Sequence, residues 1–276
     1  MLSLNQLAHY QEHGYLVLKN WISEQEIQLM RDDVDHMIQD KSTAKDAAFT
    51  PLADGRKVIN RISRQLAHSE TMRHIYGNPR MLSTIESIYG SDFLPFAESI
   101  VIKMPTDGAP FPWHQDGTFK TGPQPERGLN FGIYLYPSTE ANGCLYIIPG
   151  SHARGQIDIS ALIEQHGQHL PDAIPVPTQP GDVIVHSRNL IHGSFPNTSP
   201  DLRVTVYFGF HARATVQTVY PLDHIAKREA VIPFCIRSRA DSGHFPNESP
   251  FNYQPRAHDH LTGSLDDILN APGLSV

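Results

Sequence analysis

The sequence has few cysteines and no long hydrophobic run. Its two cysteines, Cys144 and Cys235, cannot form a disulfide framework in a chain of 276 residues, so a reducing compartment is expected. No apolar stretch approaches the length that a transmembrane helix needs. The first residues show no cationic region followed by an apolar one, which argues against a signal peptide. These absences predict a cytoplasmic protein without a membrane partner.

Positive charge is also scarce. The 22 Lys and Arg residues are outnumbered by 29 Asp and Glu residues, and the resulting net charge of −7 disfavours nucleic-acid binding. Charged residues make up 18% of the chain and hydrophobic residues 39%, which is the composition of a folded protein and not of a disordered one. A chain of this length buries about three-quarters of its unfolded surface, so we expect residues 1–276 to form a single domain.

The hydrophobic pattern changes along the chain. Up to about residue 95 it favours helices, because Ser3 can cap a helix that stops at Gly14, and Ser23 with Glu26 forms a capping box. A short strand is expected over Gly14–Lys19, and another helix near Pro79–Tyr89. From about 96 to 215, short runs of β-branched and aromatic residues alternate with Pro and Gly, which predicts a sandwich or barrel. The tail, about 216–276, is expected to be mainly loop with a short terminal helix. The sequence therefore indicates a mainly β fold with flanking helices.

Histidine, by contrast, is abundant, with 16 copies, and it is the commonest metal ligand among the side chains. His114 and Asp116 form a His-x-Asp pair, and both side chains of such a pair point to one face of an extended segment. With one distant histidine, the pair makes the two-His, one-carboxylate set of non-haem Fe(II) oxygenases, which leaves positions open for other ligands. Since His-x-Asp pairs are common by chance, the surrounding sequence has to support this interpretation.

That support comes from residues 180–203. The segment reads as a Pro-Gly turn, a strand, His192, and then Arg203 eleven residues later. A buried arginine suits a dicarboxylate, because its planar guanidinium meets a carboxylate through two parallel hydrogen bonds. An iron site with a dicarboxylate cosubstrate would use two histidines, one carboxylate and one arginine, and the sequence offers His114, His192, Asp116 and Arg203.

Several segments resemble the phytanoyl-CoA dioxygenase family of Fe(II)/2-oxoglutarate oxygenases. They are Trp113–Asp116, Asn142–His152, Pro180–Arg203 and the opening with Tyr10, Gly14–Leu18 and Ser23–Met30. The likeness covers about residues 5–210. It implies a double-stranded β-helix, the cupin-like jelly roll, with helices packed outside.

The resemblance also implies the cofactors Fe(II), 2-oxoglutarate and O2, and the residues that hold them. The implied metal ligands, which would also be the catalytic residues, are His114, Asp116 and His192. The implied 2-oxoglutarate contacts are Arg203, Ser194 and Thr205. Halogenating relatives carry a small residue in place of the carboxylate, so Asp116 favours hydroxylation.

We therefore expect a dioxygenase that hydroxylates a small molecule. Two alternatives stay open: the same cofactors could serve desaturation, cyclisation or epimerisation, or the barrel could be a metal-binding cupin-like module without oxygen chemistry. The candidate substrate contacts are Lys103, Arg127 and Asn130, with Arg61, Arg64 and Lys120 as further cations nearby. This group hints at a small anionic or zwitterionic metabolite such as 2-aminoethylphosphonate, although a structural salt bridge is the alternative for Arg61 and Arg64.

Overall fold

A computed structural model describes residues 1–116, 128–254, 265–271, 273 and 274. The strands are β1 (Tyr15–Leu18), β2 (Ala47–Pro51), β3 (Lys57–Ser63), β4 (Phe93–Lys103), β5 (Phe111–His114), β6 (Leu129–Tyr134), β7 (Leu145–Ile147), β8 (Ile174–Val176), β9 (Val183–Ser187), β10 (His192–Ser194) and β11 (Arg203–Ala212). The helices are α1 (Leu4–His13), α2 (Glu24–Gln39), α3 (Gln65–His68), α4 (Glu70–Tyr76), α5 (Pro79–Tyr89), α6 (Ile159–His166), α7 (Arg213–Val216), α8 (Leu222–Glu229), α9 (Val231–Asp241) and α10 (Leu265–Leu269). Within these ranges, no helix has both the length and the hydrophobicity that a membrane crossing requires.

The strands form two antiparallel sheets on opposite sides of one cavity. The large sheet has the order β1-β9-β6-β11-β4-β3-β2, and the small sheet has the order β5-β10-β7-β8. Side chains from β4, β6 and β11 line the cavity from one side, and those from β5 and β10 line it from the other. This arrangement confirms the predicted mainly β jelly roll with flanking helices.

The two faces of the large sheet differ in chemistry because side chains alternate along each strand. On β11, the residues Val204, Val206 and Phe208 belong to the main hydrophobic core, which they share with residues of α2, α4, α5 and α9. Arg203 and Tyr207 on the same strand face the cavity. Helix packing therefore stabilises one face, and the opposite face is free to carry polar groups for ligands.

The predicted helix caps are confirmed at the N-terminus. Ser3 accepts a hydrogen bond from the backbone of Gln6, and Gly14 ends α1 with a left-handed φ of 76°. Ser23 and Glu26 form the predicted capping box at the start of α2. The predicted short strand and the predicted helix near Pro79–Tyr89 are present as β1 and α5, whereas β2 and β3, which also join the large sheet, were not predicted.

The tail contains more helix than predicted. Helices α7, α8 and α9 occupy most of residues 213–241, where the sequence suggested loop. The buried residues of α9, Val231, Ile232, Cys235 and Ile236, recur at the spacing of one helix face, so the period was present in the sequence and the prediction of loop was wrong. Pro233 lies in its first turn, where a backbone N–H has no partner within the helix.

Candidate active site

The small sheet brings His114 and His192 together. His114 ends β5, His192 begins β10, and the two residues are directly paired across these antiparallel strands. Their ring centroids lie 4.2 Å apart. Asp116 follows β5 by two residues, and the nearest ligand atoms of the three side chains all lie within 4.8 Å of one another. Among the residues that the structure describes, this is the one cluster of three metal-binding side chains.

Backbone carbonyls orient both imidazoles. Nδ1 of His114 lies 2.7 Å from the carbonyl oxygen of Pro112, and Nδ1 of His192 lies 2.9 Å from that of Leu190. A carbonyl only accepts, so each Nδ1 carries the hydrogen and each Nε2 keeps its lone pair for a ligand. The two Nε2 atoms lie 3.5 and 3.9 Å from the carboxylate oxygens of Asp116. This tautomer is the one that metal-binding histidines adopt when Nδ1 is hydrogen-bonded.

The carboxylate of Asp116 is held from the large sheet. Asn130 on β6 donates a hydrogen bond of 2.7 Å from Nδ2 to Oδ2 of Asp116. The backbone N–H of Asp116 donates to the carbonyl oxygen of Arg188 at 2.8 Å. Both contacts fix the carboxylate in front of the two imidazoles, and Asn130 thereby connects the two sheets at the cluster.

Electrostatics set the protonation of the cluster. Burial lowers the pKa of His192 to about 3, so this imidazole is neutral. Burial alone would raise the pKa of Asp116, but the facing His114 brings that pKa well below its ordinary range, so the carboxylate is ionised. The ionised carboxylate in turn raises the pKa of His114 against the effect of burial, and a metal ion at Nε2 would compete with a proton there. Two nitrogen donors and one carboxylate form the donor set that suits Fe(II) with open coordination positions. The residues present therefore fit this metal.

The cavity in front of the cluster has a volume of about 380 Å³. That volume is in the range of small-ligand pockets. Besides the three clustered residues, the polar side chains on its wall include Arg61, Ser99, Asn130, His186, Ser194 and Arg203. Ser194 and Asn130, two of the predicted ligand contacts, therefore line the cavity.

Arg203 is a buried cation whose charge is not balanced by a neighbouring acid. It begins β11, is 2% exposed, and has no carboxylate within 4 Å among the described residues. Its Nε is buried without a hydrogen-bond partner, as is Oγ1 of Thr205 two residues further along the strand. Leaving a buried charged donor unpaired is costly, so these orphaned atoms indicate a missing anionic ligand. A dicarboxylate such as 2-oxoglutarate fits that requirement.

Lys103 is buried beside Arg203 but does not reach the cavity wall. The two residues are paired across β4 and β11. The Lys103 amine donates to the carbonyl oxygens of Ala109 and Phe195 at 2.7 and 2.6 Å. Since its hydrogens are used by two loops, this placement argues against the predicted contact between Lys103 and the substrate. The other predicted cations Arg127 and Lys120 lie outside the described residues.

Two cavity residues were missed in the sequence. His186 is buried with its ring centroid 4.7 Å from that of His192, and its pairing with Asn130 puts it on the cavity face of β9. Tyr207 lies over Gly132, where an added Cβ would come within 2.6 Å of the Tyr207 ring. Alternation along β9 groups His186 with Ile184, but only the pairing with β6 shows that this face is the cavity face.

The chain resembles known proteins in family, sequence and structure. The family described as Phytanoyl-CoA dioxygenase matches residues 10–205. An ectoine dioxygenase from Bordetella parapertussis is 26% identical over 264 residues, covering 83% of each chain. A methylphosphonate hydroxylase from Gimesia maris is 28% identical over 222 residues, covering 77% of this chain and 82% of that one. The crystal structure of EctD from S. alaskensis with 2-oxoglutarate and 5-hydroxyectoine has a TM-score of 0.64 at 23% identity, over 78% of this chain and 77% of that one, which supports the same fold.

Proposed function

The chain belongs to the phytanoyl-CoA dioxygenase family and is an Fe(II)- and 2-oxoglutarate-dependent dioxygenase, and from this premise we propose that it hydroxylates a small anionic or zwitterionic metabolite. One observation carries the proposal. Arg203 is buried, and no described carboxylate lies within 4 Å of it. It lines the same cavity as the cluster of His114, Asp116 and His192. A metal-binding barrel without oxygen chemistry has no need for such a dicarboxylate clamp.

We assign metal binding to the three clustered residues. The two Nε2 atoms and the Asp116 carboxylate hold Fe(II), and the carbonyls of Pro112 and Leu190 keep the imidazoles in the correct tautomer. Asn130 holds the carboxylate. The bound metal and cosubstrate supply oxygen activation coupled to the oxidative decarboxylation of 2-oxoglutarate to succinate and CO2. The protein orients the reactants and keeps water out of the cavity.

We assign the distal carboxylate of 2-oxoglutarate to Arg203, with Ser194 and Thr205 as further donors. The guanidinium can meet a carboxylate through two parallel hydrogen bonds, which matches its orphaned Nε. The Thr205 hydroxyl, also buried without a partner, can donate a further hydrogen bond. Ser194 follows His192 by two residues on β10 and lines the same cavity.

The charges of the cavity favour an anionic group on the substrate. The formal charges of Fe(II), Asp116, 2-oxoglutarate and Arg203 cancel. Arg61 on β3 also lines the cavity, and no described carboxylate lies within 4 Å of it. The neighbouring Arg64, in contrast, pairs with Asp46. Arg61 is therefore available to a phosphonate or carboxylate, and 2-aminoethylphosphonate is one zwitterion of suitable size.

The names of two relatives agree with a small polar substrate. One relative is named for methylphosphonate, a small phosphonate, and another for ectoine. Both are about a quarter identical to this chain, so they support the class of substrate and leave the compound itself to experiment.

The test is a screen for compounds that stimulate succinate formation from 2-oxoglutarate, with Fe(II) added. We expect 2-aminoethylphosphonate or a related small anion to stimulate it. The Asp116→Ala variant should lose both iron binding and turnover, whereas Asp107→Ala should keep both, because the Asp107 carboxylate pairs with Arg56 and does not line the cavity. Stimulation by neutral, apolar compounds alone would contradict the proposed substrate class, and full activity of Asp116→Ala would contradict the metal assignment.

The contribution of Arg61 can be measured separately once a stimulating anion is found. The Arg61→Met variant should raise the apparent KM for that compound by at least about tenfold, because a hydrogen bond to a charged group contributes about 1.5–3 kcal/mol. Succinate formation without substrate should stay as in the wild type. The matched control is Arg56→Met, an exposed arginine that pairs with Asp54 and Asp107 away from the cavity. An unchanged KM in Arg61→Met would remove this residue from the substrate site.

We also propose that the enzyme acts as a single domain in the cytoplasm. Strands from the first 95 residues and from the core share the large sheet, which supports one domain. Cys144 and Cys235 are both buried free thiols, as suits a reducing compartment. Immunodetection in fractionated cells tests the location.

A further inference from the structure

The end of the described chain returns to the active-site cavity. We call residues 265–271, 273 and 274 the C-terminal segment. Ala271 and Gly273 of this segment line the same cavity as His114 and Asp116. The segment lies beyond residues 10–205, the part of the chain that matches the family. Part of the cavity wall is thus built by a stretch that the family resemblance does not describe.

Hydrogen bonds hold the C-terminal segment on both sides of Ala271. On one side, Arg64 donates to the side-chain oxygen of Asn270. On the other side, the backbone N–H of Leu274 donates to the carbonyl oxygen of Phe96 at 3.2 Å, and His211 Nε2 donates to the carbonyl oxygen of Leu274 at 2.8 Å. Hydrogen bonds therefore hold the segment at Asn270 and at Leu274, on either side of the residues that line the cavity.

Gly273 lets the segment lie directly on β4. A Cβ atom at this position would come within 2.9 Å of the carbonyl oxygen of Phe96 and within 3.3 Å of Cβ of Ala97. The first of these contacts is with a backbone oxygen, which cannot move without displacing β4. Any side chain at position 273 would therefore lift the segment away from the strand. Buried Ile268, Leu269 and Leu274 supply the apolar contacts that hold it down.

From these contacts we infer that the C-terminal segment is the wall that limits the size of molecules reaching the metal cluster. It covers β4 at Phe96 and Ala97, and Ser99, two residues further along the same face, lines the cavity. The segment touches none of His114, Asp116 or His192 in any described hydrogen bond, so it can restrict entry without changing the ligand set. The inference rests on the proposed function only in treating the cavity as the substrate chamber.

The test measures entry into the cavity with thiol reagents of two sizes. In a Ser99→Cys protein the new thiol stands on the cavity wall, and the native Cys144 and Cys235 are fully buried. Methyl and benzyl methanethiosulfonate share one reactive group and differ in bulk. In Ser99→Cys with Gly273→Val, the benzyl reagent should react roughly tenfold faster than in Ser99→Cys alone, since overpacking displaces the segment. The small methyl reagent should gain much less.

Two further proteins keep the test decisive. Asn270→Ala removes the hydrogen bond from Arg64 without adding bulk, and it should shift the benzyl rate of the introduced thiol in the same direction if Gly273→Val fails to fold. Glu164→Cys on α6 is exposed and away from the cavity, so its rates should not respond to either variant. Equal gains for both reagents, or unchanged benzyl rates of the Ser99→Cys thiol in both variants, would overturn the inference. The assay contains neither iron nor 2-oxoglutarate, so an error in the proposed chemistry does not alter its outcome.

Discussion

Replacing Lys103 by methionine should remove a pH dependence from the stability of the protein. The Lys103 amine is fully buried, and burial, together with repulsion from Arg203, lowers its pKa to about 6. At neutral pH it is therefore an uncharged amine. An uncharged amine has two hydrogens, and the structure provides two acceptors, the carbonyl oxygens of Ala109 and Phe195. The side chain is thus a neutral link between two loops.

The sign and size of the effect follow from proton linkage. In the unfolded chain Lys103 keeps its ordinary pKa of 10.5, so between pH 6 and that value the unfolded state binds one proton more than the folded state. The free energy of unfolding should therefore rise with pH throughout this window, by about 1.4 kcal/mol per pH unit. Between about pH 7 and pH 8.5 the contribution of Lys103 grows by about 2 kcal/mol. Below pH 6 both states are protonated and the contribution stops changing.

Urea unfolding of the metal-free protein at several pH values in that window measures the effect. The wild type and the control Lys57→Met, which replaces an exposed lysine, should share the same slope of unfolding free energy against pH. The slope of Lys103→Met should be smaller by the amount given above, whatever its absolute stability. Parallel slopes for all three proteins would refute the neutral state of Lys103. They would also reopen the possibility that Lys103 is a charged partner for the substrate.

Three further predictions concern the site and its support. Arg203→Ala should weaken 2-oxoglutarate binding by well over tenfold, because losing a desolvated charge pair costs about 2–5 kcal/mol; anaerobic titration of the Fe(II) complex by absorbance measures this, and an unchanged Kd would move the clamp elsewhere. Asn130→Ala removes one hydrogen bond to the carboxylate of Asp116 and should lower iron affinity by about 10–100-fold in a chelator competition, so equal affinity would argue against its orienting role. Arg228→Met leaves Glu98 buried without its partner and should lower the free energy of unfolding by about 3–5 kcal/mol in urea; adding Glu98→Leu should restore much of it, and no recovery would show that the ion pair is not the cause.

The parts of the protein that the sequence predicted well are those that depend on local geometry. The caps at Ser3 and Ser23 need only a few neighbouring residues, and so does the spacing of His114 and Asp116 within one extended segment. Family resemblance then supplied the jelly roll.

The features that the sequence did not reveal depend on contacts between distant residues. Lys103 was expected to meet an anion, and its carbonyl partners lie on loops that only the folded chain brings close. The cavity face of β9 is set by its register with β6, which periodicity alone cannot give. The C-terminal segment reaches the cavity through pairings with Phe96 and His211, far away in sequence.

The proposed ligands of the two cofactors lie on different sheets. His114 and His192 belong to the small sheet, and Arg203 belongs to the large one. A 2-oxoglutarate molecule bound at both proposed positions would therefore link the two sheets reversibly. A ligand that binds only the folded state stabilises it by about 2.7 kcal/mol at a hundred times its Kd. The free energy of unfolding should therefore be highest when Fe(II) and 2-oxoglutarate are both bound, and it should fall again when succinate dissociates.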